Sequence, residues 1–485
     1  MAARRSIVQD NFKLILARLL LFAIALMESA HAASPGVLGG ARVAFEIQDV
    51  ATIPGISLSR PPRLNGLISP PDNSHRLFVV DMDGAILIVQ DGVLLRQPFL
   101  DLARHRAPWF MKDALEQGLI SMAFHPDFAR AGRPGSGKFY TFSTEQSSDA
   151  PVTFPARPGL PAPTHYDVVC EWSIDASDPS KADVRSRREL LRIPHPLEDH
   201  VGGQLAFNPN AQANDPEYGL LYVSVGDGGN TIHLGKLVDE WRTAQNKLLP
   251  LGKILRINPL PSGSKPYSVP NENPFASDPK TLPEIWAYGL RNPQRISWDT
   301  GGDHVMLITD LGQKQFEEIN IGHSGGNYGW SEREGFSVVD HADEYHRQAI
   351  TQQESALPFI APALAYGRSV GIAITGGYVS RRTDIPELNG KYLFGDIASG
   401  KIFATDVAML KEGAQPPFYE LPVFHHGKVA SMRDVVGNDR VDLRFGTDDL
   451  GYIYIMSKRE GTIRRIVRAV SVDAPIAPVE RPLER

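Results

Sequence analysis

The feature that most constrains this chain is a short apolar signature that returns six times: RLFVVD at 76–81, KFYTFS at 138–143, LLYVSV at 220–225, HVMLIT at 304–309, KYLFGD at 391–396 and YIYIMS at 452–457. Each is rich in aromatic, β-branched or other apolar residues, the content expected of a β-strand. Several run on into hairpins across Gly84, Gly400 and Gly461. The signatures recur at intervals of roughly 60 to 90 residues, the room a four-stranded antiparallel unit needs once loop insertions are allowed. Such a unit cannot bury its own faces, and radial packing of several solves that problem. The spacing therefore predicts an all-β chain, a six-bladed β-propeller of four-stranded antiparallel blades over residues 40–470. A large β-sandwich with irregular loops is the competing arrangement. The stretches 147–166 and 336–362 read as loop insertions.

Composition matters at three points. A formal net charge of -6 argues against a nucleic-acid partner, which calls for a basic face. Cys170 is the single cysteine, so neither an intrachain disulfide nor a cysteine zinc site is possible. It stands in a strand-like run and is expected to be a buried structural thiol. At the N-terminus, Arg4, Arg5, Lys13 and Arg18 precede an apolar run from Leu19 to Met27, and Ala30-His31-Ala32 follows. This is the layout of a secretory signal peptide over residues 1–32, with a mature chain beginning near Ala33. The run is too short to span a bilayer, and no later segment is suited to one. The expected location is periplasmic or secreted, with no stable membrane span after cleavage. Residues 471–485, with Pro475, Pro478 and Pro482, read as a loose tail.

A set of motifs is more specific than any of this. In chain order they are EQGLISMAFHPDF at 116–128, HVGGQLAF at 200–207, a run ending in SVGDGG at 229, LGKILRI at 251–257, YGLRNP at 288–293, and EEIN at 317–320 followed by GGNYGW at 325–330. Together they resemble the glucose/sorbosone dehydrogenase family of six-bladed propellers, over about residues 65 to 470. That resemblance implies pyrroloquinoline quinone (PQQ) and calcium as cofactors, a sugar as substrate, and an electron acceptor that the sequence does not identify.

Oxidising a sugar hydroxyl removes a proton from oxygen and a hydride from carbon, so the site needs a base and an electrophilic quinone. The resemblance makes His200 the base. Asp199 precedes it and is placed to orient it. Asp199 and Glu116 are also the candidates for contacting the sugar hydroxyls. Arg291 and Asn292 match residues at the quinone edge, where Arg291 would meet developing negative charge. PQQ carries three carboxylates and calls for cations; Arg433, Arg440 and Arg444 are the candidates. The segment 310–313 falls where the family holds calcium through backbone carbonyls, which points to Gly312 and Gln313. His125 is expected to brace a turn, and Trp330 to belong to the core.

Two departures from the family pattern bear on the cofactor. Only Arg433 matches an expected arginine pair before Asp434-Val435, with Arg440 and Arg444 as substitutes if the alignment slips. A lysine expected before the Lys401 hairpin is replaced by Ala398-Ser399-Gly400. Two other readings stay open: a non-catalytic propeller that binds a protein or glycan partner, and a calcium-dependent propeller lactonase.

Overall fold

The structure, a computed structural model, describes residues 34–35, 37–38, 41–55, 61–146, 150–155 and 159–471. The expected signal peptide, and the expected tail beyond Ser471, lie outside them.

Strands follow one another in antiparallel sets of four. The first set is Leu64–Ile68, Leu77–Asp81, Ala85–Gln90 and the short Leu100–Asp101. Next come Leu119–Phe124, Lys138–Glu145, His165–Ile174 and Ala182–His195, and then Gly202–Phe207, Leu221–Val225, Lys253–Ile257 and Ile285–Tyr288. Pro293–Trp298, Met306–Asp310, Phe316–Ile321 and Leu364–Gly367 form another set, and Ile374–Val379, Lys391–Asp396, Ile402–Asp406 and Phe418–Glu420 the one after it. The last set comprises Leu443–Thr447, Ile453–Ser457 and Thr462–Ser471. Its outer strand comes from the other end of the chain: Ala41–Thr52 pairs antiparallel with Thr462–Ser471, from Val43 opposite Ser471 to Thr52 opposite Thr462. Every signature strand read from the sequence is the second strand of its set.

The first strands of successive sets lie against one another, and the last of them lies against the first. One parallel bridge, Thr447 to Ile68, joins those two directly. The approach is close enough to exclude side chains in places. A Cβ on Gly446 would come within 2.6 Å of the Leu67 Cβ, so only glycine fits there.

Between sets, apolar faces interlock. Phe78, Phe99, Phe124 and Phe139 fill the space between the first two, with Phe78 edge-on to Phe99 and Phe124 at centroid distances of 4.8 and 4.9 Å. Burying each such ring contributes about 1.5–3 kcal/mol. Cys170 belongs to the same cluster, and burial pushes its thiol up to about 12, so it is the inert structural thiol expected. No helix among the described residues is long and apolar enough to cross a membrane.

Candidate active site

His200 sits between two sets, just before the strand Gly202–Phe207, in the left-handed region at φ 59°. Its carbonyl lies over Gly226, where a Cβ would stand 1.6 Å from that oxygen, so the glycine is what lets the two segments meet. The imidazole is buried and held at both nitrogens. Nδ1 is 2.7 Å from the Asp227 Oδ1. Nε2 is 2.8 Å from the Arg291 Nη2. A guanidinium only donates, so Nε2 accepts and Nδ1–H donates to Asp227. This is the tautomer a base requires, with its Nε2 lone pair aimed away from the orienting carboxylate. Asp227 is itself fixed: its Oδ2 accepts from the Trp330 indole N–H at 2.8 Å and its Oδ1 from the Gly229 N–H at 3.0 Å.

Asp227 is the residue that the sequence reading missed. Asp199, expected to orient His200, is 3.8 Å from Nε2 and half-buried, and it accepts a hydrogen bond from the Asn230 N–H. Behind Asp227, the Asp239 carboxyl is pushed up to about 7 by burial and by the Asp227 charge. The fully buried Lys253 is pushed down to about 7 by desolvation and donates to the carbonyls of Thr243, Ala244 and Leu251.

Arg291 is as constrained as His200. Its Nε donates to the Gln313 Oε1 at 3.0 Å, its Nη2 to the same oxygen at 2.6 Å, and its Nη1 to the Leu311 carbonyl at 3.0 Å. Its guanidinium also lies over the Trp330 ring, 5.6 Å from the centroid. The backbone N–H groups of Arg291 and Asn292 both donate to the buried Asp310 carboxylate, at 2.9 and 2.6 Å. Burial, reinforced by Glu318, raises that carboxyl well above its ordinary range. Asn292 bridges to two neighbours: Oδ1 accepts from the Gly202 N–H at 3.0 Å and Nδ2 donates to Glu116 at 3.2 Å. Glu116 in turn accepts from the Val201 N–H at 3.1 Å.

Glu116, Val201, Gly202, Asn292 and Leu311 line a cleft shared with Asn65, Arg295, Arg440, Arg444 and Lys458. His200 and Arg291 adjoin it through Val201 and Asn292. Arg444 is buried and donates to the Asn65 Oδ1 and the Leu443 carbonyl, at 2.8 and 2.7 Å. Arg295 is buried and donates to the carbonyls of Gln294 and Asn65. Burial lowers both guanidiniums from their ordinary value, and Arg295 lowers Arg444 further. Lys458 is driven well down by burial and by Arg444. Among the described residues none of these three makes an ion pair with a carboxylate; the carboxylates that share the cleft are Glu116 and the buried Asp442, so cations outnumber anions there. Arg440 differs, pairing with Asp442 at 2.7 Å and standing partly exposed.

Arg433 does not join this set. Ser431 and Asp434 form a capping box that starts the short helix Met432–Val436, and the helix leaves Arg433 exposed. Lys401 turns instead to the Val370 carbonyl and Glu420, and Lys458 is the lysine in the cleft. Gly312 and Gln313 lie in a loop wrapped on the Glu334 carboxylate, which accepts the N–H groups of Lys314, Gln315 and Phe316. The Gln313 side chain is committed to Arg291 and, at 2.7 Å, to Glu344. Glu317 and Glu318, which follow this loop, are buried.

Residues 65–465 match the Glucose / Sorbosone dehydrogenase family. The chain belongs to that family. Among curated relatives it is 31% identical over 384 residues to the HIPL1 protein of Arabidopsis thaliana, covering 70% of this chain and 51% of that one. It is 25% identical over 421 residues to the Hedgehog-interacting protein of Mus musculus, covering 84% and 51%. The chain thus spans about half the length of these relatives. A solved PQQ-bound aldose sugar dehydrogenase from Streptomyces coelicolor superposes with a TM-score of 0.56 at 18% identity, covering 90% of this chain and 100% of that one. This places the chain in the propeller fold shared by such structures.

Proposed function

We propose that this member of the family is an exported quinoprotein that oxidises an aldose and passes the electrons to an external acceptor, and that its successive four-stranded sets are the six blades of one propeller. The observation that carries the reading is His200. Its Nε2 lone pair is met by a guanidinium, beside a cleft in which Arg295, Arg444 and Lys458 are buried without ion-pair partners among the described residues.

The cleft suits PQQ by charge. Arg295, Arg444 and Lys458 are the residues that would hold its carboxylates, and Asn292 with Arg291 would face its quinone edge. PQQ, when bound, supplies the electrophile that accepts hydride. The protein's own residues do the rest. Asp227 fixes the His200 ring and stabilises it as Nε2 gives up the Arg291 N–H and gains the proton of the sugar hydroxyl. Arg291, held by Gln313 and the Leu311 carbonyl, keeps a positive charge beside that transfer. Glu116, joined to Asn292, offers a carboxylate to the sugar, and Asp199 a second. The backbone of Gly312 and Gln313 is the proposed calcium ligand set, and the resemblance alone supports it.

The test is dye-linked oxidation of a panel of aldoses by protein supplied with PQQ and calcium. His200→Ala should lower turnover roughly 100-fold or more while PQQ binding persists, as expected for loss of a general base; Arg291→Ala should damage both. Near wild-type turnover by His200→Ala at full PQQ occupancy would sink the mechanism. A second reading, a protein-binding propeller without catalysis, is favoured by the similarity to Hedgehog-interacting protein across 84% of the chain. It predicts no saturable spectral change when PQQ and calcium are titrated in.

A further inference from the structure

Outside the cleft, one group of side chains has chemistry that the proposed reaction does not use. His165 and Asp167 are two apart on the strand His165–Ile174, so they share a face. On the neighbouring strand, His195 pairs directly with His165. Strand periodicity and register therefore bring two imidazoles and a carboxylate together, and all three side chains have no solvent exposure. The rings stack with centroids 4.6 Å apart.

The outer nitrogen of each ring has a partner already. His195 Nε2 is 3.0 Å from the Asp199 carbonyl, which only accepts, so Nε2 carries the proton. His165 Nδ1 is 3.1 Å from the Thr164 hydroxyl. The Gln117 Nε2 is 3.4 Å from the same nitrogen, and that amide presents an acceptor instead when turned over. With both outer nitrogens donating, His165 Nε2 and His195 Nδ1 turn lone pairs inward onto the Asp167 carboxylate. The separations are 3.3 Å from His165 Nε2 to Oδ1 and 2.7 Å from His195 Nδ1 to Oδ2. His165 Nε2 and Asp167 Oδ1 make no well-formed hydrogen bond to anything. Leaving such atoms buried without partners is costly.

We propose that His165, Asp167 and His195 form a buried binding site for a divalent transition metal of the zinc class. Two neutral imidazoles and one carboxylate are a donor set that zinc accepts, and its tetrahedral ligands stand about 3.3 Å from one another. The donor atoms here all lie within 4.8 Å of one another. The carboxylate meets the rings through different oxygens, Oδ1 at 3.3 Å and Oδ2 at 2.7 Å, so it would hold the ion through both, and the shorter pair opens by roughly half an ångström. Ring nitrogens that hand their outer protons to a carbonyl and a hydroxyl are the usual support for metal-bound histidine. The ion is distinct from the calcium of the proposed reaction, because the nitrogen ligands select against calcium. Since His195 also holds the Asp199 carbonyl, the loaded site would anchor the residue preceding His200.

A second group, the exposed Asp49 and His426 with the largely buried His425, would also attract metal, so the experiment removes it first. Full-length protein carrying His425→Ala and His426→Ala is refolded with zinc or cobalt alone, passed over a chelating column, and its metal measured by mass spectrometry. About one chelator-resistant equivalent per chain is expected, with visible tetrahedral absorption for cobalt. Asp167→Asn or His165→Gln in that background should reduce it at least tenfold. The proposal is overturned if the background protein retains no metal, which would mean that protons fill the cluster or that the surface group held the ion. It is equally overturned if Asp167→Asn leaves the stoichiometry unchanged. Should those variants fail to fold, the background protein still decides, because zinc and not magnesium must raise its melting temperature. None of these readouts depends on sugar oxidation.

Discussion

Replacing His125 by asparagine should make the protein less sensitive to acid. His125 braces the turn after the strand Leu119–Phe124: Nδ1 accepts the Asp127 N–H at 3.0 Å, and the ring packs against Phe207 and Tyr140. It is 1% exposed, and Nε2 has no hydrogen-bond partner. Burial drives the imidazole down to about 4 from its ordinary 6.5, against an opposing pull from the Asp127 and Glu171 carboxylates. Because the folded value is depressed, the unfolded chain takes up the proton first as pH falls. The stability from this group is therefore complete above 6.5 and is lost between 6.5 and about 4. At about 1.36 kcal/mol per pH unit, wild type should lose about 2.5 kcal/mol from this residue between pH 7.5 and 4.5. His125→Asn keeps an acceptor near the Asp127 N–H but cannot titrate. Equilibrium urea unfolding of both proteins across that range measures the difference in their stabilities, which should shift in favour of the variant by that amount. A difference that stays flat with pH would refute the reasoning.

Three further outcomes are expected. Asp227→Asn should leave PQQ binding intact and cut dye-linked turnover roughly 100-fold or more, because the amide no longer enforces the His200 tautomer; steady-state rates at saturating PQQ check it. Arg444→Met should raise the melting temperature of cofactor-free protein, since it removes one of three crowded buried cations, and should abolish the rise caused by PQQ; thermal scans with and without PQQ decide. Gly226→Ala should destabilise the fold by about 3 kcal/mol or more, because its methyl would overlap the His200 carbonyl; urea midpoints measure the loss.

What the sequence made legible, and what it hid, follows from how far apart the cooperating residues lie. The signature strands could be read because their apolar content is local, and all occupy the second place in their sets. His200 and Arg291 could be read because each sits in a motif of its own. Asp227 was printed inside SVGDGG, yet an aspartate between glycines looks like a turn residue, and only the fold brings it under the imidazole. Arg295 and Asn65 stand on separate strands, Lys458 stands just past the end of a third, and they meet at the cleft through tertiary packing alone. Arg433 was misplaced although the signal was present: Ser431 followed by Asp434 is a capping pair, and a short helix begins there.

The outer strand of the last set, Ala41–Thr52, finds its partner Thr462–Ser471 more than 400 residues later. A ribosome adding roughly 5–20 residues each second needs some 20 to 80 s to supply it. Throughout that interval the strand lacks this partner, and the ring cannot lock until residues 462–471 have been made. A nascent chain truncated anywhere before residue 462 therefore carries an unlatched ring, a ready substrate for proteases and for pairing with its neighbours. Any export route that accepts only unfolded chains gains a window in which this one cannot close ahead of time.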